Sequence, residues 1–217
     1  MKDQMQFYER LKKAGVIPVV KLDSAEYAVP LAKALLAGGI DIIEITFRTD
    51  AAAESIRRIS EECPQMCVGA GTVLTREQID QAKENGAVFC VAPGLNAGVV
   101  RYALEKDMYM LPGVMTPSEI EQGMELGLNV FKFFPAGAAG GIPMIKALRG
   151  PYHKVSFVPT GSVSLENMAE YLSTPGVIAI GGSFLADSKL IRSGNFARIT
   201  EIAKNCSAAV AALRQEG

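Results

Sequence analysis

In "VFKFFPA" a lysine, Lys132, stands between Phe131 and Phe133. An ammonium group taken out of water is costly unless paired, and desolvation favours the neutral amine, which is a nucleophile. Lysines of this kind attack carbonyl carbons to form Schiff bases, electron sinks for making or breaking a neighbouring C–C bond. Such chemistry needs repeated proton transfers, and Glu44 in "IDIIEITF" offers a carboxyl group for them. Arg48, in the same segment, carries the planar fork that receives a carboxylate. Thr72 in "GAGTV" adds a hydroxyl and nearby backbone N–H groups for the same anion. The bland readings stand beside these: Lys132 and Glu44 as an ion pair filling the interior, and Thr72 as a strand-end cap. Lys21 in "VVKLD" is a competing amine, but its place beside Asp23 suits a solvated role.

A second set of small residues lies toward the C-terminus. "PTGSVS" contains Thr160, Gly161 and Ser162, and "IGGSF" contains Gly181, Gly182 and Ser183. Small residues there let backbone amides approach an anion such as phosphate. Glycine also serves ordinary turns, so the pairing of the two segments carries more than either alone.

The elements that position these residues follow a regular alternation. Short β-rich runs, "VIPVVKL", "IDIIEITF", "MCVGAGTV", "AVFCVAP", "MYMLPGV", "NVFKFFPA", "VSFVPTG" and "GVIAIGG", are separated by amphipathic stretches of helical period. Several of those stretches open on Ser, Thr or Asp and close on Gly or Asn, the start and stop signals of helices. About eight strands, each followed by one helix-sized connector, predict an α/β chain folded as a (β/α)8 barrel with an N-terminal helix, one domain spanning residues 1–217. A doubly wound open sheet is the runner-up, but no glycine fingerprint of the dinucleotide-binding type opens the first unit. In a barrel, strand residues alternate between interior and helix layer. Ile43, Ile45 and Phe47 then face the helices and Glu44, Thr46 and Arg48 face inward; likewise Phe131 and Phe133 face out and Lys132 in. Thr160, Gly161 and Ser162 follow the seventh strand and Gly181, Gly182 and Ser183 the eighth, a frequent phosphate site in barrels.

Composition narrows the function classes. Apolar residues make up 49% of 217, enough for one large core. Twenty-two Lys and Arg balance 23 Asp and Glu, so no net field recruits nucleic acid or an anionic membrane, and the partner is expected to be a small molecule. No run is long and apolar enough to span a bilayer, and "MKDQMQFYERLKKAG" reads as a helix rather than an export signal. Cys63, Cys67, Cys90 and Cys206 lack paired zinc-ligand spacing and read as reduced thiols of a cytoplasmic protein. The one histidine, His153, precedes the seventh strand and suits a loop on the far side of the barrel, so no metal is expected. "EIAKNCSAAVAALRQ" reads as an amphipathic terminal helix that packs on the barrel or on a neighbouring subunit.

Taken in order, "EITFRT", "VGAGTV", "FKFFPA", "PTG" and "IGGS" resemble the bacterial 2-keto-3-deoxy-6-phosphogluconate (KDPG) and 4-hydroxy-2-oxoglutarate (KHG) aldolases. The resemblance spans nearly the whole chain. It implies a class I, metal-independent, homotrimeric lyase on a TIM barrel, cleaving KDPG to pyruvate and glyceraldehyde 3-phosphate and KHG to pyruvate and glyoxylate. It also implies Lys132 as the Schiff-base lysine, Glu44 as general acid and base, and Arg48 with Thr72 as the site of the pyruvyl carboxylate. Pro93 and Gly94 in "VAPGL" match a segment of the upper rim. The chain departs from the pattern at Ser162, where the family reads glycine, and in "GAAGG" after the lysine, which is less polar than in some relatives. The hydroxyl of Ser162 would either donate to phosphate or crowd it. Alternatives are an aldolase for the galactonate epimer, a phosphate-binding barrel isomerase or epimerase, and a silent barrel that binds without turnover.

Overall fold

The computed structural model describes residues 4–215, so the first three residues of the expected N-terminal helix and the last two of the chain lie outside the described residues. Its elements in order are α1 (Gln4–Ala14), β1 (Val16–Val20), α2 (Ala28–Ala37), β2 (Ile42–Thr46), α3 (Ala52–Glu62), β3 (Cys67–Gly71), α4 (Arg76–Glu84), β4 (Phe89–Val91) and α5 (Ala97–Glu105). They continue through β5 (Tyr109–Leu111), β6 (Gly113–Val114), α6 (Pro117–Glu125), β7 (Val130–Phe133), α7 (Gly141–Arg149) and β8 (Ser156–Pro159). The chain ends with α8 (Met168–Leu172), β9 (Ile180–Gly182), α9 (Ser188–Arg192) and α10 (Phe196–Gln215). Helix starts follow local chemistry. Thr75 with Gln78, and Thr116 with Glu119, close reciprocal capping boxes, and Pro117 occupies the first turn of α6, where its missing N–H costs nothing.

Every strand pair is parallel, in two sheets of order β5-β4-β3-β2-β1-β9 and β6-β7-β8. All positions of β2, β3 and β7 are buried, as parallel strands covered on both faces require. The fifth β-rich run of the sequence is two short strands, not one, because Pro112 interrupts it. Proline has no N–H for the ladder, yet its carbonyl still accepts from the Lys132 amide at 3.0 Å. On the other side, a parallel bridge joins Thr160 to Gly181, and the Ile178 amide donates to the Phe157 carbonyl at 3.1 Å.

Register sorts the side chains. Glu44 pairs with Gly69, Gly69 with Phe89, and Phe89 with Tyr109, so these share one face of the sheet. Phe131 points the opposite way from Lys132 and lies against Gly123 of α6, where a β-carbon would collide with its ring. Phe133 meets Phe157 edge to face at 6.0 Å. The phenylalanines flanking Lys132 are therefore core of the helix layer, as strand parity predicts. Helix α1 stacks Phe7 on Tyr109 at 4.5 Å and brings it within 5.2 Å of Phe89. Arg10 secures that helix by donating to the carboxylate and carbonyl of Asp41 and to the Gln65 carbonyl, each at 3.1 Å, where β2 and β3 begin. Among the described residues no helix is long and apolar enough to cross a membrane.

Candidate active site

Lys132 on β7 and Glu44 on β2 come from different sheets and meet in the interior, with Nζ 3.9 Å from Oε1. Their side chains are 8% and 4% exposed, so the pair is largely removed from water. Oε1 of Glu44 is buried without a hydrogen-bond partner. Burial pushes the Glu44 carboxyl above the usual carboxylate range, and the charges of Lys132 and Arg48 pull back against it. A carboxyl group raised in this way holds its proton more readily than an exposed one, which suits it to give as well as accept protons. Space for it exists because residue 71 is glycine: a β-carbon there would stand 2.6 Å from Cγ of Glu44 and 2.7 Å from its Cδ.

Arg48 follows the end of β2 and is exposed, with Nε donating to Oγ1 of Thr46 at 3.1 Å. Thr46 is buried and donates its hydroxyl to the Val20 carbonyl at 2.9 Å, which leaves its oxygen free to accept from Arg48. Phe47, expected to face the helix layer with Ile43 and Ile45, lies beyond β2; it is half-buried and borders a cleft between α3 and α4 that Arg48 also lines. Thr72 is half-buried just beyond β3, at φ +56. That is the left-handed region, which a β-branched residue seldom adopts.

The two glycine segments differ from one another. Thr160 is buried, Gly161 and Ser162 take φ of +98 and +60, and the loop is held to the end of β7 by Ala136 N–H donating to the Thr160 carbonyl at 2.8 Å and Gly137 N–H to the Gly161 carbonyl at 3.1 Å. Gly181 and Gly182 lie within β9, not in the loop beyond it, in register with Ile17 and Pro18 of β1. Side chains there would collide with Thr160 and Phe184 respectively, so these glycines clear space in the wall. Ser183 is the first exposed residue after the strand. Pro93 and Gly94 border an apolar cleft of about 300 Å³ with Val73, Leu74 and Met110.

Two further residues join the site. Phe134, which shares strand parity with Lys132, is half-buried and sets its ring centroid 5.0 Å from Nζ. Thr46, visible in the sequence as an inward residue, turns out to anchor Arg48. The competing amine, Lys21, is paired with Asp23 at 2.8 Å in an exposed position, and His153 is exposed ahead of β8. All four cysteines are buried, and burial raises the Cys90 thiol to about 12. Among the described residues no cluster of three His, Cys, Asp or Glu side chains is placed to hold a metal ion.

A buried amine beside a buried carboxyl, with a tethered guanidinium at one side and a left-handed glycine-serine loop at the other, is suited to condensing with a carbonyl compound and moving protons on it. Comparison with known proteins agrees. The chain is 47% identical to a 2-dehydro-3-deoxy-phosphogluconate aldolase of Treponema pallidum over 91% of its own length and 94% of that protein's. It is 43% identical to the KHG/KDPG aldolase of Escherichia coli K12, covering 89% of this chain and 91% of the other. A crystal structure of KDPG aldolase from Legionella pneumophila, with pyruvate captured as a covalent carbinolamine, superposes with a TM-score of 0.89 at 38% identity, covering 92% of this chain and 97% of that one. The model of the family described as KDPG and KHG aldolase matches residues 7–202, and the chain belongs to that family.

Proposed function

We propose that this protein is a class I aldolase that cleaves 2-keto-3-deoxy-6-phosphogluconate to pyruvate and glyceraldehyde 3-phosphate, and 4-hydroxy-2-oxoglutarate to pyruvate and glyoxylate. The observation that carries the reading is the buried Lys132–Glu44 pair at 3.9 Å in a chain of this family. The neutral amine of Lys132 adds to the C2 carbonyl; the oxygen takes up one proton from the nitrogen and a second from the Glu44 carboxyl and leaves as water, giving a cationic imine. Glu44 then accepts the proton of the C4 hydroxyl. The C3–C4 bond breaks, its electron pair flowing into the imine, and the aldehyde departs. Glu44 returns the proton to C3 of the enamine, and water releases pyruvate from Lys132.

Arg48, tethered through Thr46, and Thr72 receive the carboxylate next to C2. Thr160, Gly161 and Ser162 with Gly181, Gly182 and Ser183 receive the distal phosphate, Ser183 being the exposed residue at the end of β9. No metal takes part, since the imine itself is the electron sink. The galactonate epimer is not the better-supported substrate.

The same reading closes the two sheets into one eight-stranded (β/α)8 barrel and one domain. Its supports are the Thr160–Gly181 bridge on one side and the single proline between β5 and β6 on the other. A cytoplasmic homotrimer completes it, supported by the family resemblance and by buried thiols. Light scattering of the purified protein would test the trimer.

The deciding experiment is intact-protein mass spectrometry after incubation with pyruvate and borohydride, followed by peptide mapping. A reduced pyruvyl adduct on Lys132, absent from Lys132→Ala, is the expected result. Folded protein that forms no adduct would overturn the mechanism and favour an isomerase or a silent barrel.

A further inference from the structure

Charge on the Lys132 nitrogen has two neighbours of different kind. One is the Glu44 carboxyl at 3.9 Å; the other is the Phe134 ring, whose centroid lies 5.0 Å from Nζ. The backbone N–H of Phe134 donates to the Val114 carbonyl at 3.4 Å, and the edge of the ring stands 3.6 Å from where a β-carbon on Gly161 would lie.

These two partners respond differently to turnover. A carboxyl that accepts and returns protons alternates between charged and neutral, so its attraction for a cation switches on and off. The ring's negative face does not change with protonation state. Condensation also strips the nitrogen of hydrogen-bonding capacity. An ammonium group has three N–H donors. In forming the imine the nitrogen lone pair makes a bond to C2, the carbonyl oxygen leaves as water after taking up two protons, and the product R–NH⁺=C keeps its positive charge with a single N–H. A partner that senses charge and not N–H groups keeps its grip through that change.

We infer that Phe134 is a positioning residue for the reaction at Lys132, its ring face stabilising the cationic imine before C3–C4 cleavage and again after C3 is protonated, when the nitrogen keeps its charge but has lost two of its N–H donors. The inference rests on the Schiff-base reading of Lys132. It makes Phe134 part of the electron sink and not only a wall of the cavity, and it identifies the ring's electron density as the property that matters.

Fluorination tests this because it drains the ring face while leaving shape and hydrophobicity nearly intact. Phe134 would be replaced by the mono-, di- and trifluorinated phenylalanines, and the pyruvate concentration giving half-maximal borohydride-trapped adduct on Lys132 measured for each. The half-saturating concentration should rise stepwise with each fluorine, and Phe134→Leu should fall at the weak end, a total loss of roughly 2- to 30-fold. A flat series with adduct still formed on Lys132 would overturn the role of the ring and leave the Schiff base intact. A wild-type protein with no adduct on Lys132 would remove both.

Discussion

The carboxyl group of Glu44 lies over the α-carbon of Gly71, on the neighbouring strand, so closely that even a methyl group there would overlap Cγ and Cδ. The proposed general acid and base is thus positioned by an absence on β3. Gly71→Ala is expected to displace the carboxyl by about an ångström and lower kcat by roughly 10²-fold, the usual cost of such misplacement. Steady-state kinetics on KDPG check this, and a wild-type kcat would show that the carboxyl needs no such clearance.

Glu44→Gln should slow turnover by roughly 10²–10⁴-fold. It should also change how stability depends on pH. Burial raises the Glu44 carboxyl in the folded state, so its favourable contribution is present below the unfolded value of about 4.3 and is lost as pH rises through the higher folded value. Glutamine stays neutral throughout. Urea unfolding should find the variant more stable than wild type above the raised folded value, with the gap closing as pH falls from that value toward about 4.3. A gap independent of pH would contradict the assignment.

Thr72 is held at φ +56, a conformation that costs a non-glycine residue about 1–2 kcal/mol. Thr72→Gly is expected to be at least as stable as wild type in thermal unfolding, yet to need more pyruvate for half-maximal adduct formation because the hydroxyl is gone. A markedly less stable variant would mean that the side chain, and not the backbone, sets the balance there.

Thr46 links Arg48 to the carbonyl of Val20. In Thr46→Val that carbonyl loses its donor and Arg48 its acceptor, for a stability loss of about 1–3 kcal/mol. KM for the keto acid should rise with it, and Thr46→Ser should restore both. Failure of serine to rescue KM would separate Arg48 from this tether.

Ser162 and Gly137 fit one another. A β-carbon on Gly137 would stand 2.5 Å from Cβ of Ser162 and 2.7 Å from its Oγ. Gly137→Ala should therefore destabilise the protein on its own and be tolerated beside Ser162→Gly, with a coupling of about 0.5–3 kcal/mol in a double-mutant cycle. Simple additivity would mean that the two loops relax independently.

Much of the site is legible in the sequence because strand parity is a strong rule. With Phe131 and Phe133 committed to the helix layer, Lys132 has nowhere to point but inward, and Glu44 follows in the same way from Ile43 and Ile45. The failures have local causes. Gly181 and Gly182 look like a loop because glycine usually marks one, whereas here they make room for Thr160 and Phe184 inside a strand. Phe134 is overlooked because an aromatic residue reads as core, although it shares the parity of Lys132. The break at Pro112 and the displacement of Phe47 past the end of β2 depend on where a ladder stops, which periodicity does not specify. The fit of Ser162 to Gly137 joins residues 25 apart in sequence, beyond the reach of any local pattern.

Phe7 of α1 stacks on Tyr109 beside Phe89, two residues that share with Glu44 one face of the sheet. In the proposed mechanism the pyruvyl fragment stays bound through C2 to Lys132 when the C3–C4 bond breaks. The fragment carrying the phosphate must therefore leave before the fragment still attached to the lysine can be released. In the reverse direction pyruvate must enter first. A compulsory order of product release thus follows from the covalent bond that the proposed mechanism places on Lys132.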